Sequence, residues 1–165
     1  MLYSDAAYNA LKTQHLEIAR SLLDQAVPLA GEPEHRVPLA YLCGNRGLEA
    51  LFTGDFERAG DAFREELQLS QEHVLPRPAA EGLAGLAAIA SRRGQLKRAA
   101  QVLGAAAAQA PIADPDVTAQ LEEQFFGPAR AAYGERRWSE AEAEGERLNL
   151  NQAIALALTP NRTLG

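Results

Sequence analysis

Residues 79–110 read AAEGLAGLAAIASRRGQLKRAAQVLGAAAAQA, and their spacing decides the fold. Leu83, Leu86, Ala87 and Ala90 fall at i, i+3, i+4 and i+7, the period of a helix with one apolar face. After Gly94 the same period resumes with Leu96, Ala99, Ala100, Leu103 and Ala106. Glycine has no Cβ, so Gly94 can take the left-handed conformation that closes one helix and turns the chain into the next. The stretch predicts two helices joined by a short turn.

Working outward, the same landmark recurs along the chain. It appears as Gln14-His15-Leu16-Glu17-Ile18-Ala19, Gly54-Asp55-Phe56-Glu57-Arg58-Ala59, Gly94-Gln95-Leu96-Lys97-Arg98-Ala99 and Arg136-Arg137-Trp138-Ser139-Glu140-Ala141. The large residue moves in steps of 40, 40 and 42, placing turns near Gln14, Gly54, Gly94 and Arg136. Around the second landmark, Leu48 and Leu51 precede the turn, and Phe56, Ala59, Phe63 and Leu67 follow it. Asp55 is placed to cap the following helix. Ala59 and Ala99 are expected where the helices of a pair touch. Links bearing proline at 31–38, 75–78 and 111–115 would each break a helix. Asn149 and Gln152 have the spacing of a capping box, opening a last apolar helix at 150–158.

The expectation is an all-α domain over 1–158, a right-handed α-α superhelix of four antiparallel pairs. The repeats span 1–31, 37–73, 78–110 and 116–148, with a capping helix at 150–158 and a flexible tail at 159–165. No strand signal interrupts this pattern. Composition agrees, because the hydrophobic residues are mostly Ala and Leu, the strongest helix formers. A length of 165 residues suits one domain or one short run of repeats.

Other classes are excluded or disfavoured. A net charge of −6 lacks the surplus of Lys and Arg that a free-standing nucleic-acid binder needs to neutralise phosphates. Cys43 is the only cysteine, so neither an internal disulfide nor a cysteine zinc cluster can form. The N-terminus has no basic, apolar leader pattern, and the longest apolar run, 82–90, is too short to span a bilayer. A cytoplasmic address follows as the expectation. Met1 begins almost inside the first repeat, as expected for a fragment or for an end helix packed on another subunit.

The landmarks resemble the tetratricopeptide repeat, with its Gly-Asp-aromatic turn and small residues at fixed helix positions. The third block matches in Leu83, Leu86, Ala87, Ala90, Gly94, Leu96, Ala99, Leu103 and Ala106. The second keeps Gly47, Ala50, Gly54, Phe56, Ala59 and Phe63, but has Arg46 where Leu is usual and Glu66 where Ala is usual. The first has Gln14 in place of the turn glycine, and the fourth has Arg136 there and Gly145 at a packing position. The longer period is similar to the helical arrays of large bacterial transcriptional regulators of the LuxR, MalT and AfsR kinds. That likeness lies mainly in residues 80–158. No phosphate-binding loop is visible, and no DNA-reading module.

Most chemically tempting residues have plain structural readings. Glu32-x-x-His35 has metal-ligand spacing but lies in a proline-rich link with no second copy. His15, His35 and His73 fall at turns or helix ends, and no nucleophile or orienting partner accompanies them. Cys43 belongs on an apolar face as a buried thiol, Trp138 in the core, and Gly82-x-x-Gly85 where helices approach closely. The Asn161-Arg162-Thr163 sequon has no secretory signal to give it meaning. These readings point to neither an enzyme nor a cofactor.

The tetratricopeptide resemblance implies an inner groove lined by the first helices of the pairs, the concave face that solenoids use for binding. Tyr8, Lys12, Tyr41, Asn45, Arg92, Arg130 and Tyr133 occupy positions near that face. Arg92 and Arg130 are expected to share the concavity and hold an acidic peptide. The functional expectation is a module that binds a protein or peptide partner or a second copy of itself, within a transcriptional regulator. The alternative is a small-molecule sensor with its ligand in the groove.

Overall fold

The computed structural model describes residues 2–30, 36–111 and 114–159. The chain is all-α, with no strand among the described residues. Its helices are α1 (Leu2–Lys12), α2 (Leu16–Ala26), α3 (Arg36–Phe52), α4 (Phe56–His73), α5 (Pro76–Arg92), α6 (Leu96–Gln109), α7 (Pro115–Leu121), α8 (Gly127–Tyr133), α9 (Glu135–Gly145) and α10 (Leu150–Leu158). A 3-10 turn, Val27–Ala30, follows α2, and a π-helical turn, Glu122–Phe126, joins α7 to α8. Glu32 and His35 lie outside the described residues, as does the sequon.

Three of the turns share one construction. Gln14, Gly54 and Gly94 take φ of 58°, 84° and 73°. In each, the next residue donates its N–H to the carbonyl five residues back, one beyond the normal helical reach, at Ala10, Ala50 and Ala90 respectively. The helix that follows is folded back on the one before, so α1 packs on α2, α3 on α4 and α5 on α6. Asp55 caps α4 by accepting the Arg58 N–H at 3.1 Å, and Asn149 and Gln152 form a reciprocal capping box on α10. Ala59 and Ala99 are fully buried.

The fourth turn corrects the sequence register. It lies at Gly134 (φ 96°), not at Arg136, so the left-handed residues stand at 14, 54, 94 and 134, an even step of 40. Gly134 is itself the residue before α9, which makes this turn shorter than the others. Trp138 N–H therefore bonds the Gly134 carbonyl, the role that Ala19, Ala59 and Ala99 N–H groups play in the other pairs. The tryptophan stands in the alanine's place, fully buried, with its ring centroid 6.5 Å from that of Phe126.

The prolines begin helices as well as separating them. Pro38 lies in the first turn of α3, Pro76 opens α5 and Pro115 opens α7, where a missing N–H leaves no bond unmade. Pro128 is different, since it falls inside a continuous helical run. The π turn lies just upstream of it, where the Gly127 N–H reaches back to the Glu122 carbonyl and the helix widens around the ring.

The core is built by glycines facing large side chains. Phe63 of α4 lies against Gly47 of α3 and Gly85 of α5, and a Cβ at either glycine would overlap the ring. Glu66, one turn on, lies in the same way against Gly44 and Gly82. Gly104 and Gly145 bring α6 and α9 into backbone contact. Gln120 Nε2 donates to the Lys12 carbonyl at 2.9 Å and the Leu11 carbonyl at 3.4 Å, so α7 meets the C-terminal end of α1. The first and fourth pairs are thereby brought together.

Candidate binding groove

The first helices of the pairs converge on one recess of about 250 Å³. Ser4, Asp5 and Tyr8 come from α1, Tyr41 and Asn45 from α3, Arg77 and Glu81 from α5, and Asp114 from the N-cap of α7. Helical spacing explains the gathering, because 4 and 8, 41 and 45, and 77 and 81 are each one turn apart on a single face. Asn45 ties two walls together, its Nδ2 donating to Ser4 Oγ at 3.1 Å and to the Ser4 carbonyl at 3.2 Å.

Of the residues expected in the groove, Tyr8, Tyr41 and Asn45 line the recess. Lys12 stands at its edge, 3.1 Å from Asp114 and 3.8 Å from Asp116. The remaining three lie elsewhere. Arg92 stacks over the Phe56 ring at 5.9 Å and lines a separate recess with Gln124 and Phe125. Arg130 is engaged by both Glu122 oxygens and lies 5.5 Å over the Trp138 ring. Tyr133 packs against the main core. The two arginines do not share a concavity with the tyrosines, because each is drawn to an aromatic face beside it.

The charge of the recess is accordingly the reverse of an arginine groove. Three carboxylates, Asp5, Glu81 and Asp114, face a single guanidinium, Arg77. Burial pushes the Asp114 carboxyl upward, but its bond to Lys12 and the N–H groups of Val117 and Asp116 outweigh this and hold it below the usual range. Glu81 makes no ion pair among the described residues. Burial raises its pKa to about 7 despite the opposing pull of Arg77, and Asp114 adds to the rise. Burial and then Glu81 also push the Tyr8 hydroxyl upward, so it stays a neutral donor.

Behind this wall lies Glu66, fully buried, with neither carboxylate oxygen meeting a hydrogen-bond partner among the described residues. Burial and, after it, Glu81 raise its pKa well above the ordinary value. Its carboxyl lies against Gly44, next to Asn45, and Gly82, next to Glu81, in the seam between the helices that form the groove.

A larger recess of about 670 Å³ lies between α4, the α5–α6 turn and α10. Among its charges, Arg64 pairs with Asp61 at 2.7 Å and Arg98 donates to Gln95 and to the Thr159 carbonyl, while Glu57 and Arg93 also line it. The smaller groove is the better candidate because its carboxyl at Glu81 is half-buried and unengaged.

Elsewhere the potential nucleophiles are occupied. Cys43 is buried, and burial, with Glu65 and Glu66 nearby, pushes its thiol up to about 12. His15 shares a hydrogen bond with Thr13 at 2.8 Å. Sequence reading missed Glu81, although a step of 40 from Tyr41 lands on it. Among the described residues, no cluster of His, Cys, Asp and Glu could hold a metal ion, and no helix is long and apolar enough to cross a membrane. No family model, no curated protein and no solved structure matches the chain.

Proposed function

We propose that this chain is a helical-repeat interaction module of the tetratricopeptide type, and that it binds a partner segment through a basic side chain held in the α1–α3–α5 groove. The observation carrying this reading is the convergence of Tyr8, Tyr41, Asn45 and Glu81 from three successive first helices on one recess. Tyrosine faces attract cations, and the half-buried carboxylate supplies the matching charge. A volume near 250 Å³ falls below the ~300–1,000 Å³ of pockets that enclose a drug-sized ligand, which favours a single side chain of a partner over an enclosed small molecule. Its setting as the scaffold or sensor part of a bacterial transcriptional regulator rests on the resemblance of residues 80–158 alone.

Fluorescence anisotropy against an array of short labelled peptides tests the reading. Peptides with a central Arg or Lys should bind, their affinity falling as salt rises, and acidic peptides should not. Tyr41→Ala should weaken the basic peptides several-fold while leaving the melting curve in place, because Tyr41 is 36% exposed. Preference for acidic peptides, or full binding by Tyr41→Ala, would overturn it.

A further inference from the structure

Glu66 breaks the repeat. The matching position one step later is Ala106, a small packing residue, and only the bare faces of Gly44 and Gly82 make room for a glutamate here. A carboxyl in that place has no hydrogen-bond partner among the described residues, and Glu81, the acid of the groove, is the charge that acts on it across the seam. Two carboxyls from adjacent helices thus share one poorly solvated region. Like charges so placed cannot both ionise without large cost, so one proton is held while the other remains exchangeable.

Access decides which is which. Glu66 is fully buried, whereas Glu81 reaches the recess. We propose that the groove recognises one cationic side chain by proton exchange: the ammonium or guanidinium group enters as Glu81 releases its proton, while Glu66 keeps its own behind the seam. The step balances as one proton lost to solvent and one positive charge gained from the ligand, so the region stays electrically unchanged.

The other groups facing Glu81 are consistent with this assignment. Arg77, on the same helix, is already present in the free groove and leaves Glu81 with a pKa of about 7. Asp114 is committed to Lys12 at the head of α7. From α1, Tyr8 stays protonated, and Asp5 adds a further negative charge at the recess. Tyr41 of α3 contributes a neutral ring. Glu81 is therefore the group in this wall whose charge changes near neutrality.

The inference rests on the groove reading above, and the experiment separates the two. The probe is an acetylated, amidated pentapeptide with one arginine among alanines, with norleucine in place of arginine as control. Binding is followed by NMR titration between pH 5.5 and 8.5 at fixed ionic strength. With Glu81 titrating near 7, affinity should rise roughly 20-fold from pH 5.5 to 7.5 and then level off. Glu81→Gln should bind weakly with no pH dependence, and Glu66→Gln should keep the native pH profile. Equal affinity at every pH would overturn proton exchange while leaving the groove reading intact. A flat profile in Glu66→Gln would overturn the assignment of the released proton to Glu81. Failure of the folded chain to bind the arginine peptide better than the norleucine control at any pH would overturn both.

Discussion

Replacing Glu66 by glutamine keeps the length and branching of the side chain and removes its proton from titration. In the native chain this carboxyl has no hydrogen-bond partner, and burial followed by Glu81 keeps it protonated well above the ordinary carboxyl range. In the unfolded chain it ionises normally. Holding a proton that the unfolded chain releases costs ~1.4 kcal/mol for each pH unit. The folded state binds more protons, so stability is intact below the unfolded pKa and falls as pH rises above it.

Glu81 adds the same slope up to its own pKa of about 7 and contributes nothing steeper beyond it. Between pH 5 and 7 the native chain should therefore lose up to ~2.7 kcal/mol per pH unit from the two groups. Glu66→Gln should lose about half of that. In a chain of this length 1 kcal/mol corresponds to ~2–4 °C in melting temperature, so the variant should gain ~3–5 °C on the native chain for each unit above pH 5. Thermal melts followed by circular dichroism from pH 5 to 8 read this directly. Parallel native and variant curves would refute the reasoning, because they would mean that the Glu66 charge finds compensation in the folded state.

Three further outcomes are expected. Val74 ends α4 in the left-handed region (φ 55°, ψ 58°) while 83% exposed, so Val74→Gly should relieve strain and stabilise by ~1 kcal/mol, read as a raised melting temperature. Gly85→Ala places a Cβ into the buried Phe63 ring and should lower the urea midpoint by an amount corresponding to ~1–3 kcal/mol. The buried Glu49 carboxylate accepts from Arg20 at 2.8 and 2.9 Å and from Arg58 at 2.6 Å, joining α2, α3 and α4. Both guanidiniums are partly exposed and can rehydrate, so Glu49→Ala should cost ~1–3 kcal/mol, less than breaking a fully buried pair, and hydrogen exchange in α2 should accelerate before that in α4.

Much of the fold was legible because the local chemistry of the turns repeats. Gly54 and Gly94 announce themselves by composition, and Asp55, Asn149 and Gln152 by capping pattern. The fourth turn was misplaced by two residues because Trp138 was matched to the large residue opening the other second helices. It is in fact a core residue at the alanine position, a substitution that only three-dimensional packing against Phe126 explains. The site was legible in part. Tyr8, Tyr41 and Asn45 follow from helix phase; Arg92 matches Lys12 two steps back but is drawn off by Phe56, and Arg130, with the fourth turn at Gly134, falls at the position of Ala10, Ala50 and Ala90 and is held by Glu122 and Trp138. Contacts of that kind depend on which element comes alongside, and a single chain's periodicity does not encode it.

The residues that depart from the repeat are also those that shape the groove, and packing gives the reason. Identical pairs stacked at an even step would present the same side chain from each first helix, a surface without chemical contrast. Here the step of 40 places Tyr41 and Glu81 at matching positions, one a neutral ring and the other an acid. Glu66 replaces the alanine of the repeat directly behind them, and Gly44 and Gly82 yield the space it needs. The contact of Gln120 and Asp114 with the end of α1 then brings the last pair up to the first, so the N-cap of α7 becomes a wall of the same recess. A buried carboxyl without a partner lowers stability at neutral pH, yet its bulk fills the gap between Gly44 and Gly82 that an alanine would leave empty, so packing and electrostatics pull in opposite directions at this position.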